Sequence, residues 1–281
     1  MERLPLPDAL VQQARAYADG SATPAEPRNA ATVVLMRPGA SGPEIYLLRR
    51  QTSMAFAGGM CVFPGGGVDP RDFDHAVAWA GPTPDAWAER LGVDERMARA
   101  LVCAAVRETF EESGVLLAGT AESVVADTTG DDWEADRVAL EGRDLSLTEF
   151  LNRRELVLRT DLLGVWAGWL TPVFEPKRYR TWFFAASLPE GQVTRDVSSE
   201  SSSVAWLPAM TAVEQAESGD IFMMPPTYLT CLDVGQHAGP EEVLAEAAGR
   251  SVEIFTPEVV SDGDEFVLSM PARYEPLVAA R

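Results

Sequence analysis

The chain has 281 residues, a length that fits one large domain or two small ones. Hydrophobic residues make up 46% of it and charged residues 23%, so it can bury a substantial core. The 43 acidic residues outnumber the 23 basic ones and give a formal net charge of −20. This charge argues against coating nucleic acid or binding a membrane through a polybasic surface, since both need positive charge. A small phosphate-bearing ligand is not excluded, because a metal ion can neutralise its charge locally.

Three cysteines, Cys61, Cys103 and Cys231, lie far apart in the sequence and form no C-x-x-C pair. Their odd number and their spacing argue against both a disulfide framework and a zinc site. A reducing compartment fits best, and we expect the cytoplasm. The N-terminus lacks the apolar core of a signal peptide, and no apolar run reaches the roughly 18 residues that span a bilayer.

The first elements are a leader and a hairpin. Residues 1–27 are predicted to form the leader, a short helix followed by a loop. The β-rich runs at 30–37 and 44–50 predict two paired strands. A third apolar run, residues 60–67, ends in three consecutive glycines.

Two helices are predicted in the next stretch. A Thr-Pro-Asp start and a glycine end predict a short helix within residues 82–92. Asp94 is then expected to cap a longer helix over about 95–113, which Gly114 ends. Residues 115–118 are a candidate for a short strand.

The remaining sequence mixes strands and helices. The pattern is helical at 133–160, strand-like in 164–174, 180–188 and 204–208, helical at 208–218, 225–235 and 240–249, and hairpin-like from 251–260 to 265–270. Because strands and helices do not alternate regularly, an α+β fold with a mixed sheet is favoured over a doubly wound parallel sheet.

The segment Arg107–Val115, with the sequence RETFEESGV, carries the residues of most chemical interest. On a helix, Glu108, Glu111 and Glu112 fall within about 100° of one face, at ~100° per residue. Such close carboxylates raise one another's pKa unless a cation compensates them, and hard oxygen ligands suit Mg²⁺ or Mn²⁺ better than zinc. Three glutamates alone are more often the solvated acidic face of a helix. The other face of the helix is apolar or small: Val102, Val106, Thr109, Phe110 and Ser113.

Together with the Phe-Pro-Gly-Gly run ending at Gly66, this segment resembles the Nudix box of the Nudix hydrolase superfamily. That pattern is G-x5-E-x7-R-E-U-x-E-E-x-G-U, where U is a bulky apolar residue or threonine. Its right half matches at every fixed position from Arg107 to Val115, while Asp72 stands where the pattern has its first glutamate. Arg107 follows Gly66 by 41 residues instead of 14, so about 27 residues are inserted, roughly the stretch 73–98.

The resemblance implies an α+β fold, an α/β/α sandwich with a mixed sheet. The Nudix domain would span residues 28–238 and contain the insert. Residues 239–281 would form a C-terminal extension packed on the same domain.

A long insert within the box is typical of a Nudix branch that includes peroxisomal coenzyme A and acyl-CoA diphosphatases. Residues 59–66, with Arg50 upstream, partly match the segment associated with coenzyme A-cleaving members. Ala55 stands where that segment has arginine, and Gln51 where it has serine. The likeness extends over about residues 30–235.

The resemblance also implies roles for single residues. Glu108, Glu111 and Glu112 would bind Mg²⁺ or Mn²⁺, and a backbone carbonyl of the glycine run, such as that of Gly66, would be a further ligand. Arg107 would orient one glutamate through a charge-assisted hydrogen bond, or else form an ordinary surface salt bridge.

The general base and the substrate contacts are less defined by the pattern. The general base would be a box glutamate, such as Glu108 or Glu112, or Glu200 in the serine-rich loop 198–203. The alternative for Glu200 is an ordinary solvated charge in a loop. Three arginines are candidate counter-charges for substrate phosphates, with an ordinary surface role as the alternative: Arg50, Arg178 and Arg180.

The function that the resemblance implies is metal-dependent hydrolysis of coenzyme A or acyl-CoA to 3′,5′-ADP and (acyl-)4′-phosphopantetheine. A broader diphosphatase for NADH, ADP-ribose or nucleotide sugars is the alternative in the same class. Outside that class stand a non-catalytic Nudix-like ligand sensor and a structural metal-binding domain. The expected partner is a small nucleotide rather than nucleic acid or a membrane, and a homodimer is left open.

Overall fold

The computed structural model describes residues 6–18, 20–54, 57–263 and 265–281. The strands are β1 Arg28–Gly39, β2 Gly42–Arg50, β3 Cys61–Val62, β4 Gly65–Gly67, β5 Trp79–Ala80, β6 Ala118–Gly119, β7 Val157–Arg159, β8 Leu163–Leu170, β9 Tyr179–Ser187, β10 Ser201–Pro208, β11 Ile254–Phe255, β12 Val259–Asp262 and β13 Glu265–Leu268. The helices are α1 Asp8–Ala18, α2 Pro84–Leu91, α3 Glu95–Ser113, α4 Asp131–Glu141, α5 Leu147–Arg153, α6 Ala209–Ser218, α7 Pro225–Val234, α8 Pro240–Ala247 and α9 Glu275–Ala279.

The largest sheet is mixed, as the sequence predicts. Its strand order is β10-β2-β1-β9-β8-β11, with β3 paired to β2 and β4 paired to β1. Strand β1 is antiparallel to β2 and parallel to β9, while β9 is antiparallel to β8. The short strand β4 lies antiparallel to the N-terminal half of β1, with Gly66 opposite Ala31. The glycine run is therefore part of the sheet, beside its central strand.

Helices cover both faces of this sheet, which gives the expected α/β/α sandwich. On one face Ala31, Val33 and Leu35 of β1 pack in a core that α2, α3 and α5 complete. On the other face Val34 and Met36 pack in a second core with α6, α7 and α8. Burial on both sides explains why β1 has an unbroken apolar run instead of alternating polar and apolar residues.

Helix α3 forms where the sequence places it, because its two ends are determined locally. The side chain of Asp94 accepts a hydrogen bond from the amide of Met97 at 2.7 Å. Gly114 adopts a φ of 74°, and its amide donates to the Phe110 carbonyl at 2.9 Å. This left-handed conformation suits glycine and ends the helix. The apolar face predicted for α3 is buried in the first core.

The insert in the box packs into the core. A 3₁₀ turn at Pro70–Phe73 leads into the insert, which contains strand β5 and helix α2. Trp87 of α2 is fully buried, with its ring 5.9 Å from that of Phe184 on β9. The indole N–H of Trp182 donates to the Leu91 carbonyl at 3.0 Å, just before Gly92 ends the helix. The insert thus buries its apolar face against α3 and the sheet.

Two stretches differ from the sequence expectation. The helical pattern at 133–160 divides into α4 and α5, followed by strand β7, because Arg143 turns left-handed with a φ of 64° and Ser146 begins a new helix with a capping box. Of residues 115–118, only Ala118 belongs to a strand, the short β6.

The predicted C-terminal hairpin also forms differently. The first part of the predicted hairpin, strand β11, pairs with β8 as a parallel strand of the large sheet. The hairpin itself is formed by β12 and β13, which pair antiparallel. Pro257 lies between β11 and β12 and has no N–H to continue a strand ladder.

The predicted boundaries of the Nudix domain, after residue 27 and after residue 238, stay predictions. Residues 1–5 and 19 of the leader lie outside the described residues. The amide of Leu6 donates to the Phe266 carbonyl at 2.7 Å, so the start of the described chain contacts strand β13. Within the ranges given above, no helix is long and apolar enough to cross a bilayer.

Trp87→Ala is expected to lower the free energy of unfolding by about 3–5 kcal/mol, because it opens a cavity between α2 and the sheet. Glu89→Ala, on the exposed face of the same helix, should change it by less than about 0.5 kcal/mol. Urea unfolding followed by tryptophan fluorescence and circular dichroism would measure both. Equal stability of the two variants would contradict a core role for the insert.

Candidate active site

Arg107 of α3 forms a two-pronged ion pair with Asp72 across the insert. Its Nε lies 3.0 Å from Asp72 Oδ1, and its Nη2 lies 2.9 Å from Asp72 Oδ2. The Asp72 side chain is only 2% exposed. Asp72, which stands at the first acidic position of the box pattern, thus contacts the box arginine although 35 positions separate the two residues.

The same guanidinium also contacts two box glutamates and the glycine run. Its Nη1 donates to Glu108 Oε1 at 2.8 Å and to Glu111 Oε2 at 3.1 Å. Its Nη2 donates to the Gly67 carbonyl at 3.0 Å. Arg107 thus contacts two of the glutamates, where the resemblance implied one, and it also joins the helix to strand β4.

Glycines allow the carboxylates to lie against strand β4. The amide of Gly65 donates to Glu112 Oε2 at 2.7 Å. A Cβ atom on Gly66 would lie 2.5 Å from Glu108 Oε1, so any side chain there would displace the carboxylate. We call Asp72, Glu108, Glu111 and Glu112 the carboxylate cluster.

Burial and mutual repulsion raise the pKa of each glutamate in the cluster. Burial raises the pKa of Glu111 to about 7, although Arg107 opposes the shift. Burial and then the charge of Glu108 hold the pKa of Glu112 well above its ordinary value, against the hydrogen bond from Gly65. Burial also raises the pKa of Glu108. A bound cation would favour the charged forms of all three.

The donor set fits a hard divalent cation. Glu111 Oε1 is buried and has no hydrogen-bond partner, so it is free to accept a positive ligand. Carboxylate oxygens are the ligands that Mg²⁺ and Mn²⁺ prefer. In the described part of the chain, however, no three His, Cys, Asp or Glu side chains are grouped as a formed metal site. Two of the glutamates point at Arg107 and the third at Gly65, so binding would require them to turn.

A cleft of about 170 Å³ opens over the cluster. Glu200 lies in its wall, and its carboxylate forms an ion pair with Arg50 at 2.9 Å. The structure therefore brings Glu200 and Arg50 to the same place as the box residues. The cleft is lined by Arg107, Glu108, Glu111, Glu112, Leu140, Glu141, Arg143, Ser198, Ser199 and Glu200.

Arg178 and Arg180 are placed differently. Arg178 is buried, and its guanidinium donates to the carbonyls of Thr171 and Ala25 at 3.1 and 3.0 Å. These hydrogen bonds tie the loop before β9 to the segment that contains Ala25, so they indicate a structural role for Arg178. Arg180 lies in β9 opposite Asn29 and is not among the residues that line the cleft. Their substrate role stays a prediction of the sequence, and Ala55 lies outside the described residues.

Sequence reasoning missed the residues that α4 brings to the cleft, above all Glu141 and Arg143. No motif marks them, because α4 lies after the box and reaches the cleft only through the fold. The left-handed backbone at Arg143 is not visible in the sequence either. The run of serines at 198–203 predicted a loop around Glu200, but its second half, residues 201–203, begins strand β10 and pairs with β2. The sequence gave no contact for Glu200 itself.

Comparisons with known proteins identify related sequences. A family model described as the NUDT19 Nudix domain matches residues 93–232. A Xenopus laevis protein named acyl-coenzyme A diphosphatase NUDT19 is 25% identical over 244 residues, covering 75% of this chain and 64% of that protein. A Caenorhabditis elegans protein with the provisional name nudix hydrolase 7 is 26% identical over 204 residues, covering 71% and 57%. The matches span roughly three-fifths of the length of these relatives.

A solved structure shares the architecture. The crystal structure of a Nudix hydrolase from Alicyclobacillus acidocaldarius aligns with a TM-score of 0.68 and 27% identity, covering 81% of this chain and 98% of that one. Together with the sandwich fold and the box residues, these matches show that the chain belongs to the Nudix superfamily. Within the superfamily it is similar to the NUDT19 branch, which confirms the resemblance seen in the sequence.

Asp72→Asn is expected to lower the free energy of unfolding by about 2–4 kcal/mol, because it leaves a buried guanidinium short of one charge and one acceptor. Asp74→Asn, an exposed change two residues along, serves as the control and should cost less than about 0.5 kcal/mol. Chemical denaturation of both variants would test the pair. If Asp72→Asn left the free energy of unfolding unchanged, the burial of Arg107 would not depend on the charge of Asp72.

Proposed function

We propose that the protein is a divalent-metal-dependent hydrolase that cleaves the diphosphate of a nucleoside diphosphate linked to another group. The observation that carries the proposal is the carboxylate cluster, in which three carboxylates contact Arg107 and the fourth, Glu112, contacts the Gly65 amide. The three glutamates of the cluster line a cleft. Simple structural stability does not call for such a concentration of buried negative charge, because replacing buried ions with apolar residues is often neutral or stabilising.

Glu108, Glu111 and Glu112 would hold Mg²⁺ or Mn²⁺. When bound, such an ion neutralises phosphate oxygens and lowers the pKa of bound water. Arg107 contributes by keeping Glu108 and Glu111 close together through hydrogen bonds from its Nη1, so that each needs only to turn its carboxylate to reach the ion. The Gly65 amide holds the Glu112 carboxylate through a hydrogen bond. We assign proton acceptance from the attacking water to Glu200, because Glu200 lines the same cleft as the box glutamates.

For the substrate we propose coenzyme A or acyl-CoA, with 3′,5′-ADP and (acyl-)4′-phosphopantetheine as products. The support is the likeness to the Xenopus laevis protein named acyl-coenzyme A diphosphatase. Arg50 would contact a substrate phosphate: its Nε is buried without a hydrogen-bond partner, while its Nη2 binds Glu200. The cytoplasmic location and the homodimer remain predictions of the sequence.

Mass spectrometry of coenzyme A incubated with the protein and Mg²⁺ or Mn²⁺ at about pH 8 tests this proposal. We expect 3′,5′-ADP and 4′-phosphopantetheine, and we expect a chelator to abolish both because the cluster needs its cation. Cleavage of NADH or ADP-ribose instead would keep the chemistry and refute the substrate. Binding of these nucleotides without any cleavage would favour a ligand sensor.

Glu112→Gln should reduce turnover at least ~10²-fold, since it removes a charged metal ligand. The amide oxygen of glutamine can still accept the bond from Gly65, so the fold should be retained. Glu95→Gln lies exposed at the start of the same helix and provides a matched control with near-normal turnover. Steady-state kinetics with a circular dichroism check would compare them. Full activity of Glu112→Gln would remove Glu112 from the ligand set.

A further inference from the structure

A chain of hydrogen bonds runs from helix α3 to helix α4. Arg137 of α4 donates from Nη1 to the main-chain oxygen of Glu111 at 2.7 Å. The same Nη1 donates to Glu141 Oε2 at 2.9 Å. The Arg137 side chain is only 4% exposed. A buried arginine therefore joins the helix that carries the box glutamates to the last residue of α4.

Glu141 extends this chain to the serine-rich loop. Its Oε1 accepts the Ser199 amide at 3.0 Å and the Ser199 hydroxyl at 2.5 Å. Both carboxylate oxygens are thus occupied by donors, one facing Arg137 and the other facing Ser199. Burial opposes ionisation of Glu141, but the bonds from Ser199 and Arg137 outweigh it and lower the pKa. A charged carboxylate makes stronger hydrogen bonds than a neutral acceptor does.

The other side of the loop is held by the end of β2. The Gln51 side-chain amide donates to the Ser199 carbonyl at 2.7 Å, and the Gln51 main-chain amide donates to the Glu200 carbonyl at 3.0 Å. Arg50 pairs with the Glu200 carboxylate. Ser199 and Glu200 are therefore clamped between α4 and β2, on the wall of the cleft that faces the box.

We infer that Glu141 is a positioning residue that fixes the Glu200 loop relative to the box glutamates. This inference rests on the proposed function, in which Glu200 acts on the attacking water. Glu141 lies outside the box, yet through Arg137 it is linked to the main chain of Glu111. The loop consequently keeps its distance from the carboxylate cluster. A displacement of about 1 Å at such a group can cost about 10²-fold in rate.

Glu134 offers a matched control on the same helix. Its carboxylate binds the same Arg137, at 2.8 Å to Nη2, and also Arg195 at 2.6 Å. Glu134→Ala and Glu141→Ala each remove one acidic partner of Arg137. Of the two, Glu141→Ala also removes the acceptor for Ser199. A difference in behaviour between the two variants would therefore reflect the lost contact with Ser199 and not the lost ion pair with Arg137.

Hydrogen exchange by mass spectrometry is the first readout, because it needs no substrate. We expect amides of residues 198–202 to exchange at least ~10-fold faster in Glu141→Ala than in the wild type or Glu134→Ala, since the clamp on Ser199 opens. Glu141→Gln should be intermediate, because its amide oxygen can still accept from Ser199. Unchanged exchange in Glu141→Ala would overturn the inference.

Kinetics with coenzyme A and Mn²⁺ provide the second readout. We expect Glu141→Ala to lower kcat by about 10–100-fold with little change in KM, while Glu134→Ala stays near the wild type and Glu141→Gln lies between. Equal losses in the two alanine variants would overturn the inference. So would a large rise in the Mn²⁺ requirement of Glu141→Ala, because it would make Glu141 a metal ligand. A wild type that cleaves none of the tested diphosphates would instead refute the proposed function, while the exchange experiment would still decide whether Glu141 holds the loop.

Discussion

The site depends on an imbalance of charge, because three carboxylates contact the guanidinium of Arg107 and a fourth, that of Glu112, lies on the same helix beside strand β4. Asp72, Glu108 and Glu111 are each within hydrogen-bond distance of the guanidinium, and Glu112 is held by the Gly65 amide. One positive charge cannot neutralise four negative ones, and burial makes the excess more costly. Burial in the first place, and repulsion between the carboxylates in the second, raise the pKa of the three glutamates. A divalent cation is the simplest ligand that would relieve the excess of negative charge.

The scaffold makes this crowding possible by holding three separated segments rigidly. Helix α3 is fixed by its caps and by an apolar face buried in the core. Strand β4 brings bare backbone against the carboxylates, and the 3₁₀ turn carrying Asp72 closes the third side. Rigid elements hold charged groups at distances that flexible loops would let drift, and preorganised charge is the main means by which enzymes stabilise transition states.

Much of this was readable from the sequence where the determinants are local. The bounds of α3 followed from Asp94 and Gly114, and its acidic face followed from the helical period. The family pattern placed Asp72 at its first acidic position despite the insert, but the pairing of Asp72 with Arg107 became visible only in the structure. Features set by distant contacts were not readable. An arginine such as Arg178 is usually exposed, and only the carbonyls of Ala25 and Thr171 allow its burial. The position of α4 over the cleft had no local signal at all.

The insert in the box has a consequence for how the site comes into being. In an uninterrupted box the acidic residue and the arginine are near neighbours, whereas here their contact closes a loop of 35 residues. Loop closure of that length costs about 3 kcal/mol of chain entropy, which the docking of α2 through Trp87 must offset. Contacts of high contact order tend to form after local helices do. An intermediate with a folded α3 but an undocked insert would have the three glutamates on its surface and no partner from Asp72. Docking of the insert would then bring Asp72 to Arg107 and bury Trp87 in the core in the same folding step.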